Sequence, residues 1–192
     1  MSAQTAPAAE ASAADREAEN NRAGQMRVLE ARAFRGPSTY AHRRVIRMTL
    51  DFGEPQDYPT SKLRDFTDRL IETIPTLDEH TCSYGVPGGF VQRLREGTWL
   101  GRVTEHIAIE LQCLAGTRVS YGKTRGTGDD GVYYVVHSYG EERIGFLAAH
   151  LALRLAQPRD LVVIFTDLIN DVWQQITAFN GHAPSSPSNQ SR

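Results

Sequence analysis

Cysteine is scarce here. Cys82 and Cys113 are the two thiols among 192 residues, and their separation matches neither a zinc knuckle nor a redox pair. Two free thiols point to a reducing compartment, so the cytoplasm is the expected location. Long apolar runs are missing as well. None reaches the roughly 18 residues of a membrane span, and the Ala-rich, acidic residues 1–20 lack the apolar core of a secretory signal. Nor is there an excess of one charge. A formal net charge of −2 gives no global attraction to nucleic acid or anionic lipid, and no basic stripe is interleaved with aromatics. Neither a nucleic-acid nor a membrane partner is expected. A phosphate-cradling GxxxxGK[ST] loop is also absent from the sequence.

What remains is an ordinary globular composition, 40% apolar and 23% charged, long enough to bury one core with tails at either side. Residues 1–25 carry no apolar face and read as a disordered tail, as does the Ser/Pro-rich stretch 180–192. Between them the apolar periodicity predicts a domain over residues 26–157. Strands are expected at 26–34 and 45–50. A helix follows at about 62–74, capped by Thr60 or Ser61, with Leu63, Phe66, Leu70 and Ile74 on one face and Pro75 at its end. Gly88-Gly89 introduces a short helix at 90–96, and the long helix 97–116 comes next. Strands at 118–123 and 132–139 are joined by the turn-rich residues 125–131. A final amphipathic helix spans 141–156, broken by Pro158. This order predicts a two-layer α+β domain, helices over a small antiparallel sheet. Residues 158–179 are expected to form a further, unusually apolar helix suited to packing on a partner chain, with Trp173 and Phe179 as anchors.

The helix at 97–116 holds most of the candidate chemistry. Thr98 is placed to cap it and Gly116 to end it. Leu100, Val103, Ile107, Leu111 and Leu114 repeat at steps of three and four and define its core stripe. At roughly 100° per residue, His106 and Glu110 share one flank, Arg102 lies one turn before His106, and Glu105 points further away. An imidazole and a carboxylate one turn apart suit a metal, or equally a polar network in which His106 is a hydrogen-bonded core-flank residue and Arg102 pairs with Glu105.

Several stretches recur in a fixed order: Arg35-Gly36-Pro37, His80-Thr81-Cys82-Ser83, Gly88-Gly89-Phe90, Arg95-Glu96-Gly97-Thr98, Glu105-His106 through Glu110-Leu111-Gln112, and Gly131-Val132-Tyr133. Together they resemble the N-terminal domain of cyanophycin synthetases, across about residues 26–157. Those synthetases polymerise aspartate and arginine with ATP-grasp and Mur-ligase-like domains downstream. Neither is expected in this chain, which reads as that N domain standing alone or truncated. The resemblance implies a domain that holds the polymer. In some family members it also implies a metallopeptidase-type hydrolase that trims the polymer into primers. The family helix reads H-x-x-E-H-x-x-x-E, so the implied metal residues are His106 and Glu110 with His80 from the preceding loop, Glu79 and Cys82 being alternatives. Glu105 is the implied general base. Arg102 stands where the first histidine belongs, and an always-charged guanidinium repels a cation. The expectation is therefore a degenerate metallohydrolase site, with no cofactor needed and Zn²⁺ the ion it would suit.

Binding has its own basis in the sequence. Arginines grip carboxylates in bidentate fashion, and acids take guanidiniums. Arg35, Arg43, Arg44 and Arg47, together with Arg95 and Arg125, are the candidate polymer-binding residues, with Asp129, Asp130, Glu141 and Glu142 as acidic counterparts. The expected function is binding of cyanophycin or a related Asp/Arg peptide without turnover. The alternatives are a zinc hydrolase, or an interaction subunit that docks on a separately encoded synthetase or on its own copy through residues 158–179.

Overall fold

Val45–Asp51 alternates strictly, and its residues divide between two environments. Ile46, Met48 and Leu50 enter the core, whereas Arg47 and Thr49 take the opposite face of the strand. The computed structural model that shows this describes residues 26–57 and 59–157. The tails and the apolar segment 158–179 lie outside them. Four strands, β1 (Arg27–Phe34), β2 (Val45–Asp51), β3 (Gly122–Gly126) and β4 (Val132–Ser138), form one sheet in the order β1-β2-β4-β3, every pair antiparallel. Among the described residues four α-helices accompany it: α1 (Phe66–Thr73), α2 (Gly89–Glu96), α3 (Leu100–Leu114) and α4 (Glu142–Ala156). The α+β architecture is thus as the alternation and helical stripes predict.

The core lies between the sheet and the helices. Val103 and Ile107 of α3 and Leu151, Ala152 and Leu155 of α4 meet Met48, Leu50 and Val135 in one cluster, to which α1 and α2 add Phe66, Leu70, Phe90 and Leu94. The two ends of the described domain meet as well. The Gln157 amide accepts from the Met26 N–H at 3.1 Å and donates to the Met26 carbonyl at 2.9 Å. No helix among the described residues is long and apolar enough to cross a membrane.

Three local expectations need correction. Thr98 does not cap α3; Trp99 occupies that position without a side-chain cap, its carbonyl accepting from the N–H groups of Arg102 and Val103. Thr98 is held instead by Thr60, whose backbone N–H donates to the Thr98 carbonyl at 2.8 Å and whose hydroxyl accepts the Thr98 N–H at 2.9 Å while donating to the Leu94 carbonyl at 2.7 Å. Thr60 is therefore a clamp between segments rather than a helix cap. The helix expected at 62–74 is split: a 3-10 turn, Thr60–Lys62, precedes α1, and Asp65 between them adopts a left-handed conformation at φ 54°. The third strand runs later than 118–123, because Thr127 to Val132 suffices to close the hairpin and leaves Arg125 and Gly126 free to pair with Tyr134 and Tyr133.

The end of α3 does follow its sequence. Gly116 sits at φ 83°, the Gly116 N–H bonds the Cys113 carbonyl, and the Thr117 N–H bonds the Gln112 carbonyl, each at 2.9 Å. That is the paired arrangement by which a C-terminal glycine satisfies the last carbonyls. Leu114, however, leaves the core stripe and is 44% exposed, since the chain is already turning there.

Candidate functional site

A cleft of about 1140 Å³ opens beside the N-terminal half of α3. Its walls are the loop that carries His80 and Cys82, the first turns of α3, and strand β3. The cleft explains why Glu105 does not point away, as its helical angle predicts. β3 crosses α3 on that side, and Glu105 is turned into the wall, only 7% exposed. Its carboxylate accepts from the Thr124 hydroxyl at 2.8 Å. It also lies so close to the Gly122 α-carbon that a methyl group there would overlap it. Burial, partly opposed by Thr124 and by the nearby Arg102 charge, lifts its pKa to about 7.

His106 is equally deep, at 6% exposure. Its Nδ1–H donates to the Arg102 carbonyl at 2.9 Å, and the Phe90 ring stacks on it at 4.1 Å with 5° between the planes. Burial lowers its pKa to about 4, so at neutral pH it is an uncharged imidazole whose free Nε2 faces outward from α3. Cys82 meets that nitrogen, its Sγ 2.9 Å away. The other histidine behaves oppositely. Burial works against charge on His80, but the Cys82 sulfur and the Glu110 carboxylate together hold its pKa up to about 9. The His80 Nε2–H donates to Glu110 at 2.8 Å, and that bond in turn holds the Glu110 carboxyl below its ordinary range.

The residues expected to hold a metal are thus regrouped. Donor atoms of His80, Cys82 and His106 lie within 4.8 Å of one another. Glu110 stands behind His80 as its hydrogen-bond partner rather than beside His106. Two imidazoles and a thiol fit the tetrahedral, nitrogen- and sulfur-rich preference of Zn²⁺, with one position left open. Arg102 lines the same cleft, and its Nη2 donates to Ser83 Oγ at 3.0 Å. It therefore pairs with the loop and not, as its spacing allows, with Glu105.

The candidate polymer-binding arginines are dispersed. Arg35 makes two bonds to Glu142, at 2.8 and 2.9 Å. Arg47 is buried against Glu30, the Tyr40 hydroxyl and the rings of Phe34, Tyr40 and Tyr134. Arg95 reaches Asp68 at 3.3 Å. Arg43 and Arg44 lie over Tyr121 and Tyr139. Of the six, Arg125 alone lines the cleft, where Arg93, Arg102 and Lys123 join it. Asp57, Glu79, Glu105 and Asp130 line the same cleft, so its walls carry both signs. Cys82, Phe90 and Lys123 had only weak signals in the sequence. The two-residue step from His80 to Cys82 was the most legible of them, but nothing in the spacing says that the loop folds back onto His106.

Comparison with known proteins gives a match to the cyanophycin synthase-like N-terminal domain over residues 47–159. The chain is 42% identical over 134 residues to the cyanophycin synthetase of Trichormus variabilis, and 41% and 40% identical over the same length to those of Crocosphaera subtropica and Synechocystis. These alignments cover 69% of this chain and 15% of each relative. The chain therefore spans a small part of the length of the synthetases it matches.

Proposed function

Because the chain belongs to the cyanophycin synthase-like N-terminal domain family, we propose that its cleft binds cyanophycin, the aspartate–arginine polymer, or a related Asp/Arg peptide, without turnover. The observation that carries this reading is the mixed charge of one large cleft. Arg93, Arg102, Lys123 and Arg125 can grip the carboxylates of such a chain. Asp57, Glu79 and Asp130 can take its guanidiniums. Of the other candidate arginines, Arg47 is buried against Glu30 and aromatic rings, and Arg35 is paired with Glu142 at the surface, outside this cleft. We place this function in the cytoplasm.

The test is binding of purified cyanophycin to the full chain and to two charge-reversal variants, each checked for folding by circular dichroism. Lys123→Glu/Arg125→Glu is expected to weaken binding at least about tenfold, the scale of losing two charge-assisted contacts. Arg43→Glu/Arg44→Glu is expected to bind like the wild type. The reverse pattern sinks the cleft assignment, and no binding by the wild type sinks the function.

One observation favours a second reading, the closeness of His80, Cys82 and His106. Zinc held there would polarise a carbonyl and lower the pKa of a bound water. Arg102 argues against it by placing a fixed positive charge in the same cleft. Metal analysis of tag-free protein beside Arg102→His decides between the two: zinc at one per chain in the wild type supports the hydrolase reading, and zinc in the variant alone supports binding without turnover.

A further inference from the structure

Arginine side chains lie over several rings of this domain. Arg32 lies over Phe34, Arg43 over Tyr121, Arg44 over Tyr139, and Arg47 and Arg125 over Tyr40. Trp99 differs from these rings, and also from Phe52 and Tyr133, which line the same cleft and pack on each other at 5.4 Å. Its indole has the strongest cation-attracting face of any side chain; the residue is 55% exposed, lines the cleft, and makes no ring–cation or ring–ring contact among the described residues.

The backbone that presents it is fixed from both sides. On the C-terminal side the Trp99 carbonyl accepts the first N–H groups of α3, from Arg102 at 2.9 Å and Val103 at 3.2 Å. On the N-terminal side Thr98 is held by the Thr60 clamp. Gly97 sits at φ 117°, packed so tightly that a β-carbon would come within 2.7 Å of Ser61 Oγ. A large apolar ring is thus held half in water by a segment with little freedom to retract it. Such rigidity is what a preformed contact requires, because a bound group then need not order the platform it lands on.

We propose that Trp99 is a stacking platform for a guanidinium group of the bound peptide, making an arginine side chain the feature that the cleft selects. Arg93 and Arg102, which line the cleft with it, leave the ring uncovered, whereas the acids Asp57 and Glu79 in the same lining complement a planar cation laid on it. The proposal rests on the peptide-binding reading above and deepens it. Carboxylates of the ligand go to Arg93, Lys123 and Arg125, and its guanidinium goes to Trp99.

The experiment uses the full chain in a Trp173→Phe background, so that Trp99 is the sole indole. Three probes are titrated: N-acetyl-L-argininamide, followed by Trp99 fluorescence, and, followed by calorimetry, an Asp/Arg peptide and the same peptide with citrulline for arginine, which keeps the planar shape and removes the charge. Saturable quenching of Trp99 by the argininamide is expected. The Asp/Arg peptide is expected to bind about tenfold more tightly than its citrulline form. Trp99→Leu should lose that preference and Trp99→Phe should keep part of it. Equal binding of both peptides by the wild type, or an undiminished preference in Trp99→Leu, overturns the platform while leaving peptide binding intact. Quenching by argininamide without any peptide binding removes the polymer reading and leaves the platform. Absence of both removes both.

Discussion

Glu105 and Gly122 are one contact seen from two chains of logic. The carboxylate is buried because β3 crosses α3 with no side chain at position 122. Gly122→Ala should therefore displace Glu105 and destabilise the fold by about 1–3 kcal/mol, the usual cost of overpacking. In urea unfolding, most of that loss should vanish when Glu105→Ala is combined with it; additive losses would show that the two sites are not in contact. His80 gives the second prediction at this scale. Its folded pKa of about 9 exceeds the ordinary 6.5, so its protonated pair with Glu110 stabilises the fold. That contribution is complete below about pH 6.5 and is lost as pH rises through about 9. In chelator-treated protein, the stability gap between wild type and His80→Gln should be widest near about pH 6 and nearly closed near about pH 10. A gap that grows with pH would contradict the pairing.

Elements meet at Thr60. Its hydroxyl and N–H tie the end of α2, the entry to α3 and the 3-10 turn at Thr60–Lys62 into one corner. Thr60→Val preserves the shape and removes the hydroxyl, leaving the buried Thr98 N–H and Leu94 carbonyl without that partner. The expected cost is about 1–3 kcal/mol, with faster amide exchange at Thr98. Unchanged exchange there would mean that the corner is held by packing alone. How much of each element was legible varied for physical reasons. α3, α4 and β2 each set an apolar stripe or alternation against the core, so their periodicity reports them directly, although α3 is buried well beyond its stripe. The stretch 60–74 does not, because Asp65 adopts a left-handed turn that no apolar spacing signals. Leu114 fits the stripe by angle but falls where Gly116 already ends the helix.

The described domain closes at Met26 and Gln157, where one side-chain amide satisfies both backbone groups of the first described residue. Gln157→Ala should cost about 1 kcal/mol and raise hydrogen exchange at the start of β1 with little effect at β4. If exchange rises equally in both strands, the domain opens as a unit and the clasp is not local.

The order of strands and helices, the α+β class, the end of α3 at Gly116 and the family membership were all determined by the sequence, because each depends on local periodicity, turn chemistry or residues in fixed succession. Only the tertiary structure decided which charges share a cleft and which are paired elsewhere. Arg47 meets Glu30 and aromatic rings in a buried pairing, and Arg35 meets Glu142 at the surface, both partners arriving from elsewhere in the chain. Cys82 is one of several loop candidates until its loop brings it to His106, and the clamp at Thr60 is what holds Trp99 at the cleft. Those pairings join residues far apart in sequence, and their energies depend on distance and burial, which no spacing along the chain contains.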